Sequence, residues 1–252
     1  MNVAILPAAG IGTRMGEVCK ETPKQFLKVF KKPIMVYTLE VFERCKDVDA
    51  IVVVCHKDWI DFLNKEIGKV GLEKVKAVVP GGATGQESIN IGINEAKKLI
   101  SKDDDVIIIQ DAVRALVSED LISRAINGAK KYGAAATAVE NSSILYKLDE
   151  DKLPYEYVGK AKIFLSQTPQ AIQYKKMTDA HKLAKDKGIT DTSATCQLLF
   201  NLGEKIQFVQ GDPMNIKITA KEDLNFFKEV IRGRMAKEWL NKMDEEDYLQ
   251  EI

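Results

Sequence analysis

Residues 2–16 read NVAILPAAGIGTRMG: an apolar run, Asn2–Leu6, that passes directly into a glycine-rich turn. A short apolar run closed by glycine is the pattern of a buried strand that delivers a loop to a ligand. Glycines there let bare backbone N–H groups approach a bound group, commonly a phosphate. The dinucleotide fingerprint requires a third glycine at position 15, where Met15 stands, and the P-loop ending Gly-Lys-Ser/Thr is absent. What is left is a loop of small residues carrying Arg14 and followed by Pro23-Lys24-Gln25-Phe26. Arg14 and Lys24 place two cations beside a loop suited to a polyphosphate. Taken alone, the same residues also describe a surface turn with two solvated cations.

Outward from this stretch, short Val- and Ile-rich runs recur at Ala50–Cys55, Val75–Val79, Val106–Ile109 and Ala134–Val139, as buried strands do. Helical spacing separates them. Ile34, Tyr37, Val41 and Cys45 share a face after Pro33, and Ile89, Ile93, Ala96 and Ile100 share another after Gly81-Gly82. Strand–helix alternation predicts an α/β fold with a parallel sheet covered on both faces. Two segments break the rhythm. Residues 140–162 are polar and irregular, with alternating pieces (Ile144-Leu145-Tyr146 and Tyr155-Glu156-Tyr157-Val158) suited to a hairpin arm. From about Glu229 the chain turns charged and helical, with Met235, Trp239, Leu240 and Met243 on one stripe.

Composition narrows the function. The 252 residues are 45% hydrophobic and 29% charged, an ordinary globular balance. Lys plus Arg and Asp plus Glu are both 37, which argues against a general nucleic-acid or anionic-membrane binder. With no long apolar span and no basic leader, the expected location is cytoplasmic. Cys19, Cys45, Cys55 and Cys196 are scattered, without a C-x-x-C pair, and His56 and His181 are the only histidines. That set predicts neither a structural zinc site nor a Cys/His catalytic pair.

The motif A-A-G-x-G-x-R-M followed by P-K-Q-F resembles the CTP-dependent cytidylyltransferases that activate sugar-alcohol phosphates. Two branches are relevant, those acting on 2-C-methyl-D-erythritol 4-phosphate and on ribitol 5-phosphate. Further landmarks follow in the family's order: Gly81-Gly82 with Ser88, Asp111-Ala112-Val113-Arg114, Gln167-Thr168-Pro169-Gln170, Thr190-Asp191 and Asn215-Ile216-Lys217-Ile218-Thr219. The resemblance runs from about residue 2 to residue 232. It implies a Rossmann-like nucleotidyltransferase domain of GT-A type over 1–232 with a protruding β-arm. Residues 140–162 would be the dimerisation arm of a homodimer, and 233–252 a C-terminal helical extension.

The resemblance also implies roles. Arg14, Lys24 and Lys217 would be catalytic, stabilising charge on the triphosphate. Ala8, Ala9, Gly10, Gly12, Gly82, Ala83 and Ser88 would bind the nucleotide. Asp111, Arg114, Ser142, Lys160, Thr168 and Thr190 would bind the acceptor, a polyol phosphate. Mg²⁺ is the expected cofactor, held mainly by the triphosphate, with Asp111 as its protein ligand. A phosphate monoester is already largely deprotonated at neutral pH, so the reaction needs no general base. That suits a chain with so few histidines.

Four positions depart from the family pattern. Gly85 stands where an arginine is usual, Gln110 replaces a histidine before Asp111, Ala115 replaces a proline after Arg114, and Lys160 replaces the arm's arginine. Lys keeps the charge but loses the planar fork. The alternatives are a sugar-1-phosphate nucleotidyltransferase using another nucleotide, and a nucleotide-binding homologue without turnover. Between acceptors, Pro7–Gly10 and the Ala180–Asp191 stretch favour 2-C-methyl-D-erythritol 4-phosphate slightly. Asp111–Arg114, Lys57-Asp58-Trp59 and Ile231-Arg232-Gly233 favour ribitol 5-phosphate.

Overall fold

A computed structural model of the chain describes every residue except 11, 13, 14, 16–18, 160, 161, 193, 251 and 252, with backbone alone for 242–250. In chain order the elements are β1 (Asn2–Ala8), a 3-10 turn at Lys24–Phe26, β2 (Lys28–Val29), β3 (Lys32–Pro33), α1 (Ile34–Arg44), β4 (Ala50–Cys55), α2 (Ile60–Val70) and β5 (Val75–Pro80). Next come α3 (Gly85–Ala96), β6 (Val106–Ile109), α4 (Glu119–Tyr132), β7 (Ala134–Glu140), β8 (Leu145–Leu148) and β9 (Pro154–Gly159). The chain closes with β10 (Phe164–Gln173), α5 (Tyr174–Asp186), α6 (Thr195–Asn201), β11 (Gln207–Gln210) and α7 (Lys221–Gln250).

Seven strands form one sheet in the order β11-β7-β10-β6-β1-β4-β5. All neighbours are parallel except β10, which runs against both β6 and β7. The mostly parallel sheet is the one the strand–helix alternation predicts, and its Rossmann-like form is the one the resemblance implies. Period-two alternation sorts β1 cleanly: Ala4, Leu6 and Ala8 pack with Met35, Leu39 and Phe42 of α1 and Leu121 and Ala125 of α4. On the opposite face Val3 and Ile5 meet Ile93 of α3, Met177 of α5 and Leu199 of α6. A Cβ on Gly92 would lie 2.4 Å from the Ile5 Cγ2, so glycine lets α3 seat directly on β1. The strand β5, predicted as buried, is an edge strand and only half-buried.

β1 extends two residues past the predicted run. It pairs with β4 as far as Ala8↔Cys55, but with β6 only to Ile5↔Ile109. The Ile5 carbonyl accepts the Gln110 N–H, so odd residues of β1 turn their backbone toward β6. Pro7 falls where that ladder has ended, and its missing N–H breaks no bond.

The strands β8 and β9 pair antiparallel as an arm, with Tyr146 opposite Tyr157 and Lys147 ion-paired to Glu156 at 2.7 Å. At the other extremity, Leu224, Phe227 and Ile231 of α7 bury against Met15, Val29, Ile34 and Ile218. Met235, Trp239 and Leu240 are exposed. The expected boundary at 232 therefore falls inside a continuous helix. Among the described residues no helix is long and apolar enough to cross a membrane.

Candidate active site

From β1 the chain builds outward through β4 to β5, then returns to place β6 on the other side of β1. Such a reversal opens a crevice at the carboxyl ends of the two strands, where α/β sheets hold ligands. Here it is a cleft of about 360 Å³ lined by Pro7, Ala8, Gly10, Gly12, Lys24, Gln25, Asp111 and Lys217, with Ala112 and Val113. A cavity of about 190 Å³, lined by Ala9, Gly82, Ala83, Thr84, Gly85 and Ser88, shares Pro7 and Gly10 with it.

Charge is organised around one carboxylate. Asp111 accepts from the Lys217 Nζ at 2.9 Å through Oδ1 and from the Arg114 Nε at 3.1 Å through Oδ2. Its own N–H donates to the Thr168 Oγ1 at 3.0 Å, which fixes the start of the turn after β6. Arg114 also donates through Nη1 to the Asn215 carbonyl at 2.7 Å. Two of its donor groups are thus spent on the protein, and the guanidinium acts here as a brace between Asp111 and the strand of residues leading to Lys217. Across the cleft the Lys24 Nζ donates to the Ile218 carbonyl at 3.0 Å, tying the first and last motifs together. Gly12 adopts φ +75°, a conformation that favours glycine, and a Cβ there would crowd the Lys24 stem at 3.0 Å.

The smaller cavity is built from N–H groups that are already spoken for. The Gly82 N–H donates to the Ser88 Oγ at 3.1 Å and the Ala83 N–H to the Glu87 Oε2 at 2.7 Å. Thr84 caps α3, accepting the Glu87 N–H at 3.1 Å. With these two donors engaged, neighbouring carbonyls can accept from a ligand that carries an amino group. A Cβ on Gly81 would come within 2.3 Å of the Ala9 Cβ, so the paired glycines let the two loops touch.

The structure therefore gathers Ala8, Gly10, Gly12, Lys24, Asp111 and Lys217 in one cleft and Ala9, Gly82, Ala83 and Ser88 beside it. Arg114 and Thr168 stand behind Asp111. Two expected acceptor residues lie elsewhere. Ser142 is exposed at the root of the arm. Thr190 lines a separate groove of about 520 Å³ between α3 and α5, with His181. Arg14 and Lys160 lie outside the described residues. Three amides that drew no role from the sequence are structural to the site. The buried Gln25 binds the glycine-rich loop, Gln167 donates to the Asp212 carbonyl at 2.9 Å, and the buried Asn215 donates to the Thr168 carbonyl at 2.8 Å. Each sits inside a quoted motif within two residues of one with a chemical role, but its backbone partners are remote in sequence, so the motif alone does not reveal its task.

Burial pushes the Cys55 and Cys196 thiols up to about 12 and the His181 imidazole down to about 4. None of the three is in its charged form at neutral pH, so these groups supply neither a thiolate nor an imidazolium. Among the described residues no cluster of three or more His, Cys, Asp or Glu could cage a metal. Both Asp111 oxygens are held by cationic side chains, Lys217 on Oδ1 and Arg114 on Oδ2, so the site fits only a cation that takes most of its ligands from water and phosphate, as Mg²⁺ does.

Residues 2–232 match the model of the 2-C-methyl-D-erythritol 4-phosphate cytidylyltransferase (IspD) family. A ribitol-5-phosphate cytidylyltransferase of Vibrio parahaemolyticus is 37% identical, covering 92% of this chain and 96% of that protein. A 2-C-methyl-D-erythritol 4-phosphate cytidylyltransferase of Clostridium botulinum is 35% identical over 91% of this chain and 97% of its own length. In structure, the 4-diphosphocytidyl-2C-methyl-D-erythritol synthase of Anaerococcus prevotii matches with a TM-score of 0.75 at 25% identity, covering 92% of this chain and 96% of that one.

Proposed function

The chain belongs to the 2-C-methyl-D-erythritol 4-phosphate cytidylyltransferase family and is a cytidylyltransferase, and we propose that it joins CMP from CTP to ribitol 5-phosphate. The acceptor's phosphate oxygen attacks the α-phosphorus of CTP. The bond from that phosphorus to the β-phosphate oxygen breaks, pyrophosphate leaves, and a CDP-polyol remains. The observation that carries the chemistry is Asp111 set between Lys217 and Arg114, with Lys24 lining the same cleft.

Lys24 and Lys217 stabilise the charge that builds on the α-phosphate and on the leaving pyrophosphate, and Arg14 serves the same triphosphate. Asp111 holds Lys217 in position until the substrates arrive, and Arg114 holds Asp111. Ala9, Gly82, Ala83 and Ser88 enclose cytosine and ribose, with the loop carbonyls taking the cytosine amine. Asp111 would hold a Mg²⁺ ion brought in with the triphosphate, and that ion would supply neutralisation of phosphate charge. No proton transfer by the protein is needed.

The choice of acceptor follows the relatives. Ribitol-5-phosphate cytidylyltransferases match at 37% identity, against 35% for the methylerythritol-phosphate enzyme. The slight preference for 2-C-methyl-D-erythritol 4-phosphate drawn from Pro7–Gly10 and the Ala180–Asp191 stretch yields to the ribitol alternative, which Asp111–Arg114, Lys57–Trp59 and Ile231–Gly233 also favour. Pyrophosphate release tests both levels. CTP should outrun ATP, GTP and UTP, and ribitol 5-phosphate should outrun 2-C-methyl-D-erythritol 4-phosphate. Preference for another nucleotide overturns the class of reaction, and the reverse acceptor order overturns the acceptor.

The arm supports a homodimer. Tyr155 is 66% and Tyr157 63% exposed, with Ile144, Leu148, Leu153, Phe164 and Leu165 also open to solvent. A two-stranded ribbon with this much apolar surface is marginal alone, and a two-fold contact with a second arm covers it. Light scattering should give two chains per particle, and deletion of residues 143–158 should give one. A monomeric full-length chain, or a deletion that stays dimeric, removes the arm from the interface.

A further inference from the structure

We infer that Gln25 is a positioning residue that sets affinity for the nucleotide by fixing the glycine-rich loop, an inference that rests on the nucleotidyl-transfer reading above. Its Nε2 donates to two loop carbonyls, Ala8 at 2.6 Å and Gly10 at 2.8 Å. The side chain is 3% exposed. A neutral primary amide suits this task because one nitrogen carries two N–H donors without adding a buried charge. A carboxylate of the same shape has none.

The turn that carries Gln25 is itself rigidly based. The Phe26 N–H donates to the Pro23 carbonyl at 2.8 Å. The Phe26 ring stacks on Trp59 with centroids 4.7 Å apart and planes within 6°, and meets Phe62 edge-on at 5.9 Å. Lys24, the preceding residue, reaches the cleft. One turn therefore aims a cation into the cleft and holds the loop that faces it.

The consequence is electrostatic. Carbonyl oxygens carry partial negative charge, and a polyphosphate would be repelled by any that faced it. Gln25 draws the Ala8 and Gly10 oxygens toward the protein. Because the peptide unit is planar and trans, the Ala9 N–H then points away from Gln25. Pro7 and Gly10 line both cavities, so loss of this hold is felt by the whole nucleotide. Among the described residues no hydrogen bond joins the Gln25 amide to Asp111, Thr168 or Asn215, on which the acceptor side is built.

Calorimetric titration of CTP into wild type, Gln25→Glu and Gln25→Met tests this, with acceptor KM measured in parallel. Both variants should raise the CTP Kd by about tenfold or more at about pH 8 while leaving the acceptor KM within about twofold. On lowering the pH to about 5.5, the ratio of variant to wild-type Kd should fall for Gln25→Glu, because a protonated carboxyl regains one donor, and stay level for Gln25→Met. A merely structural role would not give that recovery. CTP binding within about twofold of wild type in either folded variant, an equal rise in acceptor KM, or a flat ratio for Gln25→Glu overturns the inference. If Gln25→Glu does not fold, Gln25→Met, which keeps volume and apolar burial, decides through CTP affinity and acceptor KM alone. A wild type that turns over another nucleotide and not CTP overturns the functional reading; variants that bind like an active wild type overturn only the role of Gln25.

Discussion

Replacement of Lys217 by alanine separates chemistry from stability. The Lys217 side chain is 40% exposed and its ion pair to Asp111 spans 2.9 Å. A pair so open to solvent adds about 0–1 kcal/mol to folding. A loss of that size lowers Tm by about 2–4 °C at most for a chain of this length. In the transition state the same ammonium makes a charge-assisted contact worth about 1.5–3 kcal/mol. Its removal should lower kcat/KM by about 10–150-fold. A second effect compounds the first. Without Lys217, the Asp111 Oδ1 has lost its ammonium partner beside the incoming phosphates, so Asp111→Asn in the Lys217→Ala background should recover part of the loss. The two substitutions should then couple by about 1 kcal/mol or more rather than add. Pyrophosphate release with CTP, Mg²⁺ and ribitol 5-phosphate measures all four proteins of the cycle, with thermal melts alongside. A folded Lys217→Ala enzyme within about twofold of wild type, or strictly additive losses, would refute the assignment.

Gly92→Ala should destabilise the fold by about 1–2 kcal/mol, because crowding against Ile5 outweighs the roughly 1 kcal/mol gained in helix propensity; an unchanged or higher Tm would contradict the close seat of α3 on β1. His181 should make the protein acid-sensitive. Its folded-state pKa of about 4 lies below the ordinary value of 6.5, so the unfolded chain binds the extra proton, and up to about 3 kcal/mol of stability is lost as pH falls from about 6.5 through about 4. Denaturant melts of His181→Gln should show a shallower acid slope, and an identical slope would clear His181 of the effect. Lys160→Ala should raise the acceptor KM far more than the CTP KM; an equal rise in both would detach the arm from acceptor binding.

Much of the fold and of the cleft is legible in the residues themselves. The apolar runs at β1, β4, β6 and β7 are legible because strands buried on both faces need to be apolar almost throughout. Gly10, Gly12, Lys24 and Asp111 are readable because backbone approach and phosphate charge demand those residue types at the ends of such strands. The strand β10 is not. Its Gln167-Thr168-Pro169-Gln170 segment reads as polar and proline-broken, yet pairing with β7 shifts register between Ser166 and Gln170, and the proline sits in that irregularity. Gln25, Gln167 and Asn215 are hidden for another reason. A buried amide acts through backbone partners that are far away in sequence, and nothing in its own neighbourhood names them.

The reversed direction of β10 also has a bearing on how such a chain can be altered. In a wholly parallel sheet each connection must cross back to the opposite end of the strands, so lengthening one disturbs the helices that cover the sheet. Here β7 ends and β10 begins at the same end of the sheet, with Glu140 paired to Phe164, and everything between them loops out and back from neighbouring positions. The segment is a cassette with a fixed base. It can be lengthened, shortened or exchanged without rewiring the sheet, and it emerges at the end of the sheet that carries the cleft. A family built on this plan can revise what its arm touches, partner or acceptor, while leaving the nucleotide half of the site untouched.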